Sequence, residues 1–72
     1  MCSYNVFRYL RDHDVFCAVP EDRSVPRFLG GTAWEFDGKV DGSRAERTGF
    51  DASAAATAVR FNGFYVFQSL GA

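Results

Sequence analysis

Residues 49–70 read GFDASAAATAVRFNGFYVFQSL, and this stretch decides the fold. Asp51 is a good N-cap, and Phe50 before it can staple the entry angle of the chain. The reciprocal Glu or Gln of a capping box is missing, because Ala54 stands in that place. Ser53, Thr57 and Arg60 share one stripe at helical spacing, and Ala55, Ala58 and Val59 share the opposite one. Gly63 supplies the left-handed residue that ends a helix. The spacing therefore predicts a helix over 51–62. So short a helix is not stable alone and must be held by packing. Phe64-Tyr65-Val66-Phe67 follows at once and predicts a strand over 64–68. Small side chains beside large rings are what close packing between a helix and an aromatic sheet requires.

Working outward, residues 4–10 (YNVFRYL) and 15–19 (VFCAV) read as two strands joined by a tight turn at Asp12-His13. A two-residue turn there pairs Leu10 with Val15, Tyr9 with Phe16, Arg8 with Cys17 and Phe7 with Ala18. Both faces of that hairpin are largely apolar. Pro20, Pro26 and Gly30-Gly31 make 20–31 a loop with at most one helical turn, tacked to the core by Val25, Phe28 and Leu29. Residues 32–40 (TAWEFDGKV) predict a third strand with Gly38 as a bulge or bend. Trp34, Phe36 and Val40 are expected on one side of it, and Glu35, Asp37 and Lys39 on the other. The polar stretch 41–49 is expected to be a flexible loop.

The fold class that follows is α+β. A small, mostly antiparallel sheet of three to four strands, in chain order β-β-β-α-β, carries one short helix packed on one face. Residues 1–72 are expected to form a single small domain. If the third and fourth strands lie parallel, the helix between them crosses over right-handed. A chain this short buries only about 60% of its unfolded surface. Its 17% aromatic content compensates, because each buried ring removes roughly 150–250 Å² from water.

Charge excludes several functions. The net charge is −1, and the basic residues are scattered among acids rather than clustered. Phosphate binding draws its affinity from concentrated positive charge, so neither nucleic acid nor a membrane surface is expected as a partner. Two cysteines and one histidine cannot build a structural zinc site, and no cofactor is expected. The N-terminal run is too short for an export signal or membrane span, so a reduced, cytoplasmic protein is expected.

No motif carries a nameable chemistry. Asp12-His13-Asp14 brings an imidazole and carboxylates together, but turns take these residues for backbone geometry, and no second histidine completes a site. Cys17 and His13 are too far apart along the hairpin to act as nucleophile and base. Glu21-Asp22 and Glu35 with Asp37 are paired acids that solvate a loop and a strand face. Gly30-Gly31 lacks the spacing of a phosphate loop. Exposed sheet aromatics can stack bases, but such platforms come with a basic groove that this chain lacks.

The apolar balance carries the functional expectation. One helix covers one sheet face, while the first hairpin and the last strand are apolar on both. Phe7, Tyr9 and Phe16 are assigned to the helix side. The second surface then holds Tyr4, Val6, Arg8, Val15 and Cys17, with Tyr65 and Phe67 at its end, and these seven residues are the candidate interface. Large apolar patches are rare on monomers, so the cover is the 20–31 loop, a second copy or a partner. The sequence therefore predicts a non-catalytic domain working through protein contacts, most simply as a homodimer. The competing expectation is a small-molecule binder with its pocket between helix 51–62, strand 64–68 and loop 20–31.

Overall fold

The computed structural model describes residues 3–41 and 49–69. The chain forms a four-stranded antiparallel sheet with one helix, an α+β fold in the expected order. The strands are β1 (Ser3–Tyr9), β2 (Val15–Pro20), β3 (Trp34–Asp41) and β4 (Tyr65–Gln68), and the helix α1 spans Ala52–Asn62. Spatial order is β3-β1-β2-β4. Of the loop expected over 41–49, Asp41 ends β3, Gly49 leads into α1, and 42–48 lie outside the described residues.

The helix ends as the sequence implies. Asp51 Oδ1 accepts from the N–H groups of Ser53 at 2.9 Å and Ala54 at 3.2 Å. Gly63 is left-handed, with φ 86°, and its N–H donates to the Val59 carbonyl. Ala55 is fully buried, and Ala52 and Val59 pack beside it. Ser53, Thr57 and Arg60 face solvent.

The helix α1 and the segment from β2 to β3 lie on opposite faces of the sheet. The stretch leading into β4 carries α1 against Phe16, Ala18 and Phe67. The stretch from β2 to β3 carries a 3-10 turn (Arg27–Gly30), whose Leu29 packs on Cys17 and Val19. Each face thus has its own core. On the helix face Tyr4, Val6, Phe16, Ala18, Val40 and Phe67 close around Phe50 and Ala55. Phe50 is the hub of that cluster, edge-on to Tyr4, Tyr65 and Phe67 at 5.3–5.5 Å. On the crossover face Phe7, Trp34 and Phe64 flank the smaller core.

Three expectations about register and order are corrected. The β1–β2 ladder pairs Arg8 with Phe16 and Phe7 with Cys17, one residue off the expected register. The cause is the turn, which spans Leu10–Asp14 instead of two residues. Asp12 shapes it: its carboxylate accepts from the Asp14 N–H at 3.1 Å, and its carbonyl accepts from Val15 at 3.0 Å. A one-residue slip exchanges the faces. Tyr4 and Val6 therefore lie under the helix, and Phe7 lies on the crossover face.

The second correction is in β3. Val6 pairs with Gly38 but Phe7 pairs with Phe36, so Asp37 is an inserted residue and the strand is bulged. Gly38 adopts φ 146°, which side-chain-bearing residues rarely reach. The bulge reverses the alternation. Val40 joins the helix-side core, while Trp34 and Phe36 point to the crossover face. Third, β3 and β4 are the two edges and run in opposite directions, so the parallel-crossover condition does not arise.

Candidate functional site

The crossover face carries apolar side chains that stay open, as does α1, whose Phe61 is 76% exposed. The registers set Phe36, Phe7, Cys17 and Val66 in one row across all four strands. Leu29 seals the middle of that row, and Cys17 is fully buried beneath it. The ends stay open: Phe36 is 57% exposed and Val66 49%. Phe28 reaches over to Trp34 and Phe64, with ring centroids 5.9 and 5.1 Å away, and is itself 45% exposed. Val25, expected to tack the loop down, is exposed. The crossover segment is therefore a strap along the face and not a lid over it.

The seven candidate interface residues fall into three groups. Tyr4, Val6 and Phe67 are interior on the helix face, and Cys17 is interior on the crossover face. These four offer little or no area to a second molecule. Tyr65 and Val15 are half-buried, Tyr65 stacked on Phe67. Arg8 lies on the helix face and pairs with Glu35 across the β1–β3 ladder. Its Nε is buried and makes no hydrogen bond among the described residues, so its place in the fold is fixed by the carboxylate partner and by packing of its stem.

The candidate chemical groups do not converge. His13 stands on the exposed turn, held by the backbone geometry of Asp12. Cys17 is a free, fully buried thiol, and burial pushes its pKa up to about 12. A thiol so raised is not a nucleophile near neutrality. Lys39 pairs with Glu21, tying β3 to the start of the crossover segment. Among the described residues no group of three or more His, Cys, Asp or Glu is placed to hold a metal ion, and no helix is long and apolar enough to cross a membrane.

The topology separates two of the walls expected for a small-molecule pocket. Helix 51–62 packs on one face of the sheet and the 20–31 loop on the other, so the sheet itself separates them.

Sequence reasoning missed Phe36, Val66, Phe28 and Phe61 as open apolar positions. The signal for Phe36 was present in Asp37-Gly38: a bulge there necessarily puts Val40 and Phe36 on opposite faces. Gly49 was also missed. It has φ 83°, and a Cβ there would stand 2.1 Å from the Gln68 carbonyl oxygen. Nothing in the local sequence announces so close an approach between distant segments.

No family model matches the chain, and no curated protein and no solved structure matches it.

Proposed function

We propose that this chain is a non-catalytic domain that acts through protein contacts, most simply by forming a homodimer. The observation that carries the reading is the open apolar surface at the β4 end of the crossover face: Phe28 and Val66 remain outside although the strap already lies over that face. A second protein surface is the cover such groups favour, since it removes them from water at roughly 25 cal/mol per Å². A protein partner fits better than a nucleic acid, because the strand cations Arg8 and Lys39 already face Glu35 and Glu21. A twofold dimer needs no second gene product and relieves the small core.

Sedimentation equilibrium on the full chain at micromolar concentration tests this directly. The expected result is a dimer whose population follows protein concentration. A strict monomer across that range refutes the homodimer.

A further inference from the structure

The two edges of the sheet are unlike. Edge strands expose unpaired backbone groups, and proteins blunt them with charges, bulges and covering segments. β3 carries such guards: the bulge at Asp37 and Gly38, and the exposed charges Glu35, Asp37 and Lys39. A twofold pairing of β3 centred on the bulge would also set Asp37 against its own copy. β4 has neither device. Residues 63–69 (GFYVFQS) contain no charge and no proline.

The hydrogen-bond pattern shows which groups of β4 are available. The Ser69 N–H donates to the Asp14 carbonyl at 2.8 Å, one rung beyond the Val15–Gln68 pair. Antiparallel rungs alternate. Phe67 and Tyr65 therefore point their N–H and C=O groups at β2, while Val66 and Gln68 point theirs outward, and the same alternation carried back turns Phe64 outward. Gly49 already lies against the Gln68 carbonyl. Among the described residues, the part of the edge left free is the stretch Phe64 to Val66.

We infer that this edge pairs with the same edge of a second copy, antiparallel, with the twofold axis beside Tyr65. The inference rests on the homodimer reading and names its contact. In this register Phe64 of each copy faces Val66 of the other, and each of those rungs exchanges both N–H···O bonds. The alternative axis, at Val66, would bring Phe64 of the second copy opposite Gln68, where Gly49 stands. On the crossover face the pairing draws the open Val66 side chains together beside Phe64 and Phe28. On the helix face it sets the two half-buried Tyr65 rings opposite each other. The two sheets become one, and β3 is left as the only kind of outer edge.

The test combines one variant, one control and one exchange measurement on the full chain. Val66→Pro deletes an outward N–H and no donor to β2, a position where an edge strand tolerates proline. It is expected to weaken association at least about tenfold while far-ultraviolet circular dichroism stays unchanged. Phe36→Asp, on the same face but the other edge, is expected to leave association unchanged. Hydrogen exchange on the unmodified chain needs no variant: the Val66 amide is expected to be protected only at concentrations where the dimer forms. A strictly monomeric wild type overturns this inference and the homodimer reading together. A dimer in which the Val66 amide stays unprotected, or one that Phe36→Asp dissociates, overturns the edge pairing alone. Should Val66→Pro fail to fold, the exchange result decides.

Discussion

Gly49→Ala tests the least forgiving contact in the fold. Gly49 is left-handed, and the added methyl would meet backbone atoms only: the Gln68 carbonyl oxygen at 2.1 Å, its carbon at 3.0 Å and Ser69 Cα at 3.2 Å. No flexible side chain can swing aside, so one of the two segments must move. A left-handed L-residue costs roughly 1–2 kcal/mol. Forcing an extra methyl into packed surroundings costs typically about 1–3 kcal/mol more. A domain of this length has roughly 4–11 kcal/mol in total, so the variant loses a large share of it. The movement also pulls on Phe50, next in the chain, which contacts Tyr4, Tyr65 and Phe67.

Gly63→Ala separates the two terms, because Gly63 has nearly the same φ with nothing within 4 Å of its added Cβ. Urea unfolding followed by circular dichroism and by Trp34 fluorescence, at one fixed protein concentration, gives both midpoints. At a slope of about 1 kcal/mol per molar urea, the Gly49 variant should unfold about 1–3 M earlier than the Gly63 variant. Coincident midpoints for the two variants would show that the approach of Gly49 to β4 does not carry stability, and the reasoning would fail.

Three further outcomes follow from the same structure. Asp51→Ala removes the acceptor for two helix N–H groups and should cost about 1 kcal/mol in a urea titration, with Asp51→Asn recovering most of it. Cys17 is protonated in the folded state up to about pH 12 but only up to 9.0 when unfolded. Above pH 9 the unfolded chain therefore binds fewer protons, so the thiol's contribution to stability is whole below pH 9 and falls toward pH 12; the difference in urea midpoint between wild type and Cys17→Ala should narrow from pH 8 to pH 10.5. Glu35→Gln breaks a pair whose two side chains are both substantially exposed, so it should change stability by under about 1 kcal/mol. Arg8→Glu, which sets two acids side by side, should destabilise more, and added salt should reduce the gap.

The helix was fully legible in the sequence, because its limits are set by local chemistry: a carboxylate at Asp51 and a left-handed glycine at Gly63. The strands were legible for the same reason. The faces were not. In β1 and β2 both alternating sets are apolar, and register is weakly specified when neither set prefers water. Tyr4 and Val6 read as well outside as in, and only the length of the Leu10–Asp14 turn settles the matter. Phe36 was misplaced for another reason: Gly38 was read as a bulge, but the phase change that a bulge imposes was not carried through to Val40. Strand order depends on which edge the helix delivers β4 to, and no local pattern encodes that.

The hairpin of β1 and β2 is the middle of the sheet, yet it is the first part of this sequence to leave the ribosome. Its two apolar faces are closed by residues that come much later, Leu29 on one and Phe50, Ala55 and Phe67 on the other. A nascent chain that ends before β4 lacks Phe67, whose ring stacks on Phe16 at 5.5 Å. Both cores are therefore completed only near the end of the described residues, by Phe64 and Phe67, and the emerging hairpin exposes apolar strands until then. Truncation within α1 should leave no folded core behind, because the parts of this domain are completed together.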